Sequence, residues 1–288
     1  MPIYLSTNSN GTNTEGIGAM AQYQLHTYAL SKIFNINFTF SPFINLQHYQ
    51  YHNVTQKQFC DDINSFFNFP DHLKNKDYDS INCYVYEIEE KIKYYKNTNE
   101  NIVFNVNDFQ IMSFCDQFVE QIKDSKILLD IKNNLFISEE KKYFSKKLDT
   151  NNICFHIRKR TQTDNDDSQI REYYNSESQE KINNLINQIN NKFKNKKNVF
   201  HIYSQGKESE FDFLYTKLNN ANIVLHIEEY PINSLYHMIN CDILIMANSS
   251  FSYISHLIGD SILFVRNNFY HKTYSKNKYL FDAKGNIL

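Results

Sequence analysis

The sequence predicts an α/β protein of two domains, and three observations carry that expectation. From about residue 150 onward, short apolar runs alternate with stretches of helical periodicity. The chain also opens on an apolar run, a long helical pattern and a second apolar run, which is one βαβ unit. Finally, 288 residues at 41% hydrophobic content suffice for two packed cores.

In the carboxyl-terminal half the expected order is a strand at Ile153–Ile157, a helix presenting Ile182, Leu185, Ile186, Ile189 and Phe193 on one face, and a strand at Val199–Ser204. A helix with Phe211, Leu214, Tyr215 and Leu218 follows, then a strand at Ile223–Ile227 and a helix around Leu235–Ile239. A strand at Asp242–Ala247, a helix at Ser250–Ile258 and a strand at Ile262–Val265 complete the series. Five strands alternating with four helices make a doubly wound parallel sheet. The amino-terminal half predicts a strand at Ile3–Ser6, a polar loop Thr7–Glu15, a helix from Ile17 to about Phe34 and a strand at Ile36–Phe40. Beyond it Asn101–Val106 reads as a strand, Phe109–Ile122 and Glu139–Leu148 read as helices, and Phe43–Lys96 resists parsing. The domains expected are residues 1–150, smaller and more decorated, and residues 151–288, with the boundary near Leu148–Asn152.

Composition narrows the function. The 30 Lys+Arg and 32 Asp+Glu give a net charge of -2, so no global field attracts nucleic acid or an anionic membrane, and any anion site is local. No leader pattern opens the chain and no apolar run approaches the ~18–20 residues that span a bilayer, which gives an expectation of a cytoplasmic protein. Two of the four N-x-S/T sequons, at Asn37 and Asn248, fall on a predicted strand and a predicted ligand loop, where glycosylation would be damaging. The five cysteines contain no C-x-x-C pair, which argues for reduced thiols over a disulfide framework or structural zinc. Nor do the histidines suggest a metal site: His26 and His48 stand singly, and His237 and His256 fall on separate helices.

Chemistry concentrates in loops leaving the carboxyl ends of strands, where open α/β sheets bind ligands. Cys154-Phe155-His156-Ile157-Arg158-Lys159-Arg160 is a buried strand ending in three cations, and a guanidinium there can grip a diphosphate through two parallel hydrogen bonds. A solvated basic strand end explains the same residues. Asp242-Ile243-Leu244-Ile245-Met246-Ala247-Asn248-Ser249-Ser250-Phe251-Ser252 is a strand breaking into a serine-rich helix start, whose free N–H groups and dipole suit a phosphate, although serine is also an ordinary cap. Glu15-Gly16-Ile17-Gly18 lies at the first strand-to-helix turn; it lacks the third glycine of a dinucleotide fingerprint and the Lys-Ser/Thr of a P-loop. Tyr203-Ser204-Gln205-Gly206-Lys207 ends another strand, to hold a nucleoside or merely to turn the chain.

In order, these segments resemble the fucosyltransferase-like glycosyltransferases, with their G-x-G-N-Q turn, H-x-R-R motif, Y-S-D/Q-G strand end and S-S-F-S helix start. Here they read Gly16-Ile17-Gly18, His156-Ile157-Arg158-Lys159, Tyr203-Ser204-Gln205-Gly206 and Ser249-Ser250-Phe251-Ser252. The resemblance implies a GT-B-like fold, two Rossmann-like domains facing a cleft, with the donor held by the carboxyl-terminal domain and the acceptor served by the other. It implies an inverting transferase needing neither cofactor nor metal, using a GDP-sugar donor, GDP-fucose first, and a glycan or other hydroxyl acceptor. Arg158 inherits the diphosphate contact and His156 a place beside the nucleotide. Ser249, Ser250 and Phe251 would surround the β-phosphate, with Gly16 and Gly18 closing from the other domain and Asp242 on the nucleotide side. Ala19-Met20 replaces the Asn-Gln of the first motif, and Lys159 the second arginine of H-x-R-R.

Inversion also needs a base to deprotonate the acceptor hydroxyl, and Glu15, in the glycine loop, is the candidate; the bland alternative is an ordinary loop glutamate. Two rivals stand beside this reading. One is a metal-dependent transferase using Asp164-Asn165-Asp166-Asp167 as a D-x-D site. The other is a nucleotide- or glycan-binding protein that keeps the fold without the chemistry.

Overall fold

A computed structural model describes residues 2–7, 15–69, 78–98, 100–106, 108–137, 149–159, 179–217 and 222–288. The chain forms two α/β units: Met1–Phe136 with His271–Tyr274, and Ile137–Tyr270 with Ser275–Leu288. Among the described residues no helix is long and apolar enough to cross a membrane.

The first unit runs β1 (Ile3–Thr7), α1 (Ile17–Ile33), β2 (Asn37–Phe38), α2 (Gln56–Phe67), β3 (Asp79–Cys83), α3 (Ile88–Tyr95), β4 (Ile102–Val106), α4 (Asp108–Cys115), α5 (Val119–Asp124) and α6 (Leu129–Asn134). Its sheet is parallel throughout, in the order β2-β1-β4-β3. Helix α1 is buried on nearly every face from Ile17 to Ser31, polar residues included. Several of those polar groups are satisfied within the unit: Thr27 and Ser31 donate to the Tyr23 and Tyr28 carbonyls at 2.8 and 2.7 Å, and Gln24 donates to Thr7 Oγ1 at 2.9 Å.

Three expectations change here. β2 is shorter than Ile36–Phe40 because Ile36 is spent closing α1: its N–H bonds the Ser31 carbonyl past a left-handed Asn35, φ 51°. The Phe109–Ile122 helix is two helices, since the N–H groups of Gln117 and Phe118 bond only three residues back, and the restart turns Val119 and Ile122 inward. The unparsed stretch holds α2, β3 and α3. The Glu139–Leu148 helix lies outside the described residues.

The second unit runs β5 (Thr150–His156), α7 (Gln179–Lys192), β6 (Lys197–Ser204), α8 (Asp212–Lys217), β7 (Asn222–Ile227), α9 (Pro231–Asn240), β8 (Ile243–Ile245), α10 (Ser250–Ile258), β9 (Ile262–Arg266) and β10 (Lys278–Phe281). All six strands are parallel, in the order β10-β9-β8-β5-β6-β7. Counted from β5 this is 3-2-1-4-5-6, the order of nucleotide-binding doubly wound sheets, with its switch point between β5 and β8. Alternation along the strands divides the faces. Ile153, Phe155, Phe200, Ile202, Ile243, Ile245 and Phe264 share a core with Leu185, Ile186 and Ile189 of α7 and Leu214 of α8.

β10 was not expected. It is a four-residue edge strand with a lysine at its start; Phe281 is buried and Tyr279 stacks on Phe264 at 4.8 Å. β8 is shorter than Asp242–Ala247, although Met246 N–H still bonds the Phe264 carbonyl at 2.9 Å before the Ser249 N–H turns back to Ala247. At the end of α10, Gly259 allows a close backbone approach: a Cβ there would stand 2.6 Å from the Ile239 carbonyl oxygen and 2.9 Å from that of Ser255. Gly259→Ala is expected to push α9 from α10 and cost about 1–3 kcal/mol, read as a lower urea midpoint at unchanged m-value.

Candidate functional site

The switch point predicts a crevice where the loops after β5 and β8 diverge, and the motif residues lie there. β5 delivers His156 at its end and Arg158 two residues on. The loop after β8 delivers Asn248 and Ser249, then α10 begins. The two sides meet: the His156 and Phe251 rings are 5.6 Å apart, centre to centre.

Arg158 is held by its neighbours. Its Nη1 donates to Gln205 Oε1 at 2.9 Å, in the loop after β6. That loop is tied to β5, for Ser204 Oγ donates to the Ile157 carbonyl at 2.8 Å and Ile157 N–H to the Tyr203 carbonyl at 2.9 Å. Gly206 takes φ +108°, which L side chains avoid, and its N–H donates to Glu228 Oε1 at 2.7 Å. The guanidinium is thus orientated by the neutral Gln205 amide oxygen. Lys159, in contrast, pairs with Glu210 and lies 4.9 Å above the Phe211 ring, so its charge is spent locally.

Across the crevice Ser249 caps α10, accepting from Phe251 N–H at 3.2 Å, while Ser250 Oγ meets Tyr270 Oη at 3.2 Å. The helix start directs its positive end toward this edge of the sheet. Two buried polar atoms beside it, His156 Nδ1 and Asn248 Oδ1, have no hydrogen-bond partner among the described residues. Such atoms cost about 1–3 kcal/mol each unless something meets them. Burial, with the Arg158 charge second, lowers the His156 pKa to about 3, so the ring is neutral and keeps one N–H donor.

Sequence reasoning passed over Arg266, which ends β9, the neighbour of β8, and whose Nε is likewise buried without a partner among the described residues. Its signal was weak: an apolar run Ile262–Val265 closing on one arginine, without the further cations that follow Arg158.

Asp242 requires correction. It stands at the amino end of β8, the opposite edge of the sheet, and its carboxylate accepts the Asn152 N–H at 2.8 Å. In the first unit Gly16 is the N-cap of α1 and Gly18 lies buried in its first turn. The space open to a ligand beside Gly16 is taken by His48, whose ring carbon lies 3.2 Å from where a Cβ would stand. Glu15 pairs its backbone with Leu46, and its carboxylate accepts from Tyr23 Oη at 3.1 Å. Asp164–Asp167 lie outside the described residues. Folding brings His226 and His237 against Glu229, a grouping that their separate positions in the sequence did not suggest. All five cysteines are buried free thiols.

No protein-family model and no curated protein matches the chain. Among solved structures it is similar to POFUT1 in complex with GDP, at 13% identity and a TM-score of 0.46 over 98% of each chain. POFUT1 in complex with GDP-fucose gives 14% and 0.45 over 97% of each chain, and apo POFUT1 gives 14% and 0.42 over 89% of this chain and 94% of that one.

The buried imidazoles set an acid limit. His26, whose pKa burial and the nearby His271 lower to about 3, behaves as His156 does. An unfolded imidazole titrates near ~6.5, so between there and pH ~3 the unfolded chain binds protons that the folded chain refuses. Stability is therefore complete above pH ~6.5 and falls with pH through that window, by up to about 1.4 kcal/mol per pH unit for each histidine. Urea midpoints at pH 7.5 and 5 should show the fall, and His156→Gln should make it shallower.

Proposed function

We propose that the chain is a glycosyltransferase that takes its sugar from a nucleoside-diphosphate donor held by the carboxyl-terminal unit, with GDP-fucose the first donor to test. The observation that carries this reading is the convergence at one switch point of Arg158, the α10 amino terminus and the two buried atoms His156 Nδ1 and Asn248 Oδ1. A diphosphate offers acceptor oxygens to both cationic features, and neutral His156 can donate to a phosphate or sugar oxygen. As the glycosidic bond to the diphosphate breaks, charge builds on the leaving oxygen. Arg158 and the helix terminus are placed to stabilise it without a metal. Arg266 joins them as a further cation at the same edge.

The amino-terminal unit is assigned the acceptor, a glycan or other hydroxyl compound. Glu15 is the proposed base of an inverting transfer, its carboxylate orientated by Tyr23.

Thermal shifts with GDP, UDP and their sugar conjugates test the donor. A ligand at a hundredfold excess over Kd adds about 2.7 kcal/mol to the native state. The shift, taken between loaded and free protein at one EDTA concentration, should favour GDP and persist in EDTA. Arg158→Ala should weaken binding roughly ten- to hundredfold, the ~1.5–3 kcal/mol of a charge-assisted pair. A UDP-selective or EDTA-abolished shift would point to a different transferase.

The base is tested separately. Glu15→Gln should leave the GDP shift intact and lower transfer about a hundredfold or more. GDP binding with neither transfer nor donor hydrolysis in the wild type would favour a binding protein.

A further inference from the structure

Three side chains from β7, the turn after it and α9 converge beside the loop that orientates Arg158. His226, Glu229 and His237 each bring one donor atom within 4.8 Å of the other two. His226 Nδ1 is 3.3 Å from Glu229 Oε2. That separation is close to the edge of a tetrahedron whose centre lies ~2.0–2.1 Å from nitrogen and oxygen donors, the bond lengths of zinc.

A second ring of partners supports the first. His226 Nε2 is 3.0 Å from His201 Nδ1, His237 Nδ1 is 2.8 Å from Tyr203 Oη, and Ser234 Oγ donates to Glu229 Oε2 at 3.4 Å. Tyr203 also stacks on the His226 ring at 4.5 Å and 10°. Metal-ligating imidazoles characteristically use their other nitrogen in this way, which fixes tautomer and ring orientation. His237 is fully buried, whereas the side chains of His226 and Glu229 keep 11% and 14% exposure, enough for an ion to reach them from one side.

We propose that His226, Glu229 and His237 form a three-ligand site for a divalent transition metal of the zinc type, with a fourth position open. Two imidazoles and one carboxylate select such ions over magnesium and calcium, which prefer all-oxygen shells. The register places His156, Tyr203 and His226 in line across β5, β6 and β7, so the site stands two strand spacings, about 10 Å, from His156. Its turn includes Glu228, which takes φ 55°, donates its N–H to the Ser204 carbonyl at 3.1 Å and holds the Gly206 N–H. A bound ion would stiffen the turn that supports the Gln205–Lys207 loop.

The test is titration of dialysed full-length protein with Co²⁺, followed by visible absorption and competition with Zn²⁺. One equivalent of cobalt should give the intense d–d bands of low coordination number, bleached by zinc. Glu229→Gln and His226→Gln, with folding checked by circular dichroism, should each weaken binding at least a hundredfold. Tyr203→Phe should weaken it roughly tenfold or more while leaving one equivalent bound. No bands in the wild type, bands undiminished in both ligand variants, or thiolate charge-transfer absorption placing the ion on a cysteine would overturn the proposal.

Discussion

Everything at the carboxyl-terminal site depends on β5 pairing in parallel with β6 on one side and β8 on the other. The helices that follow β5 and β8 cover opposite faces of the sheet, so the loops leading to them part at the switch point. Parallel direction puts every strand end, and hence Arg158, the β8 loop and Arg266, on the same edge. The chemistry is a consequence of that topology. Strand carboxyl ends carry the cations, while at the amino end the Asp242 carboxylate accepts the Asn152 N–H.

Burial then decides which polar groups remain available. Lys159 follows Arg158 directly, yet it is engaged by Glu210 and Phe211, while Arg158 rests on a neutral amide. Two adjacent cations are therefore held in different ways. The same face of the sheet carries His156 and, two strands away, His226, with Tyr203 between them in register. Even alternation along parallel strands collects these polar side chains beneath α9 and α10, and the opposite face receives the apolar core against α7 and α8.

Much of the architecture was legible in local pattern. Helix α10 begins and ends where its serine cap and Gly259 place it, and the apolar runs of β5, β6, β7 and β9 fall within a few residues of expectation, since buried parallel strands read as continuous apolar segments. β10 escaped because an edge strand needs no such run. The break between α4 and α5 escaped because neither glycine nor proline marks it, and aromatic packing at Phe118 with three-residue hydrogen bonds does the turning. Arg266 escaped because a strand ending in a single cation carries no motif.

The sequence by itself determined the class of fold, the strand ends on which Arg158 and His156 sit, and the capped start of α10, because these follow from periodicity and capping over a few residues. Tertiary structure alone decided the strand order, hence which ends adjoin. It also decided that Gln205 would hold Arg158 and that His48 would occupy the space beside Gly16. The gathering of His226, Glu229 and His237 belongs to the same category. These contacts join residues that local pattern does not couple, and they exist only once the strands have paired and α9 has packed onto the sheet.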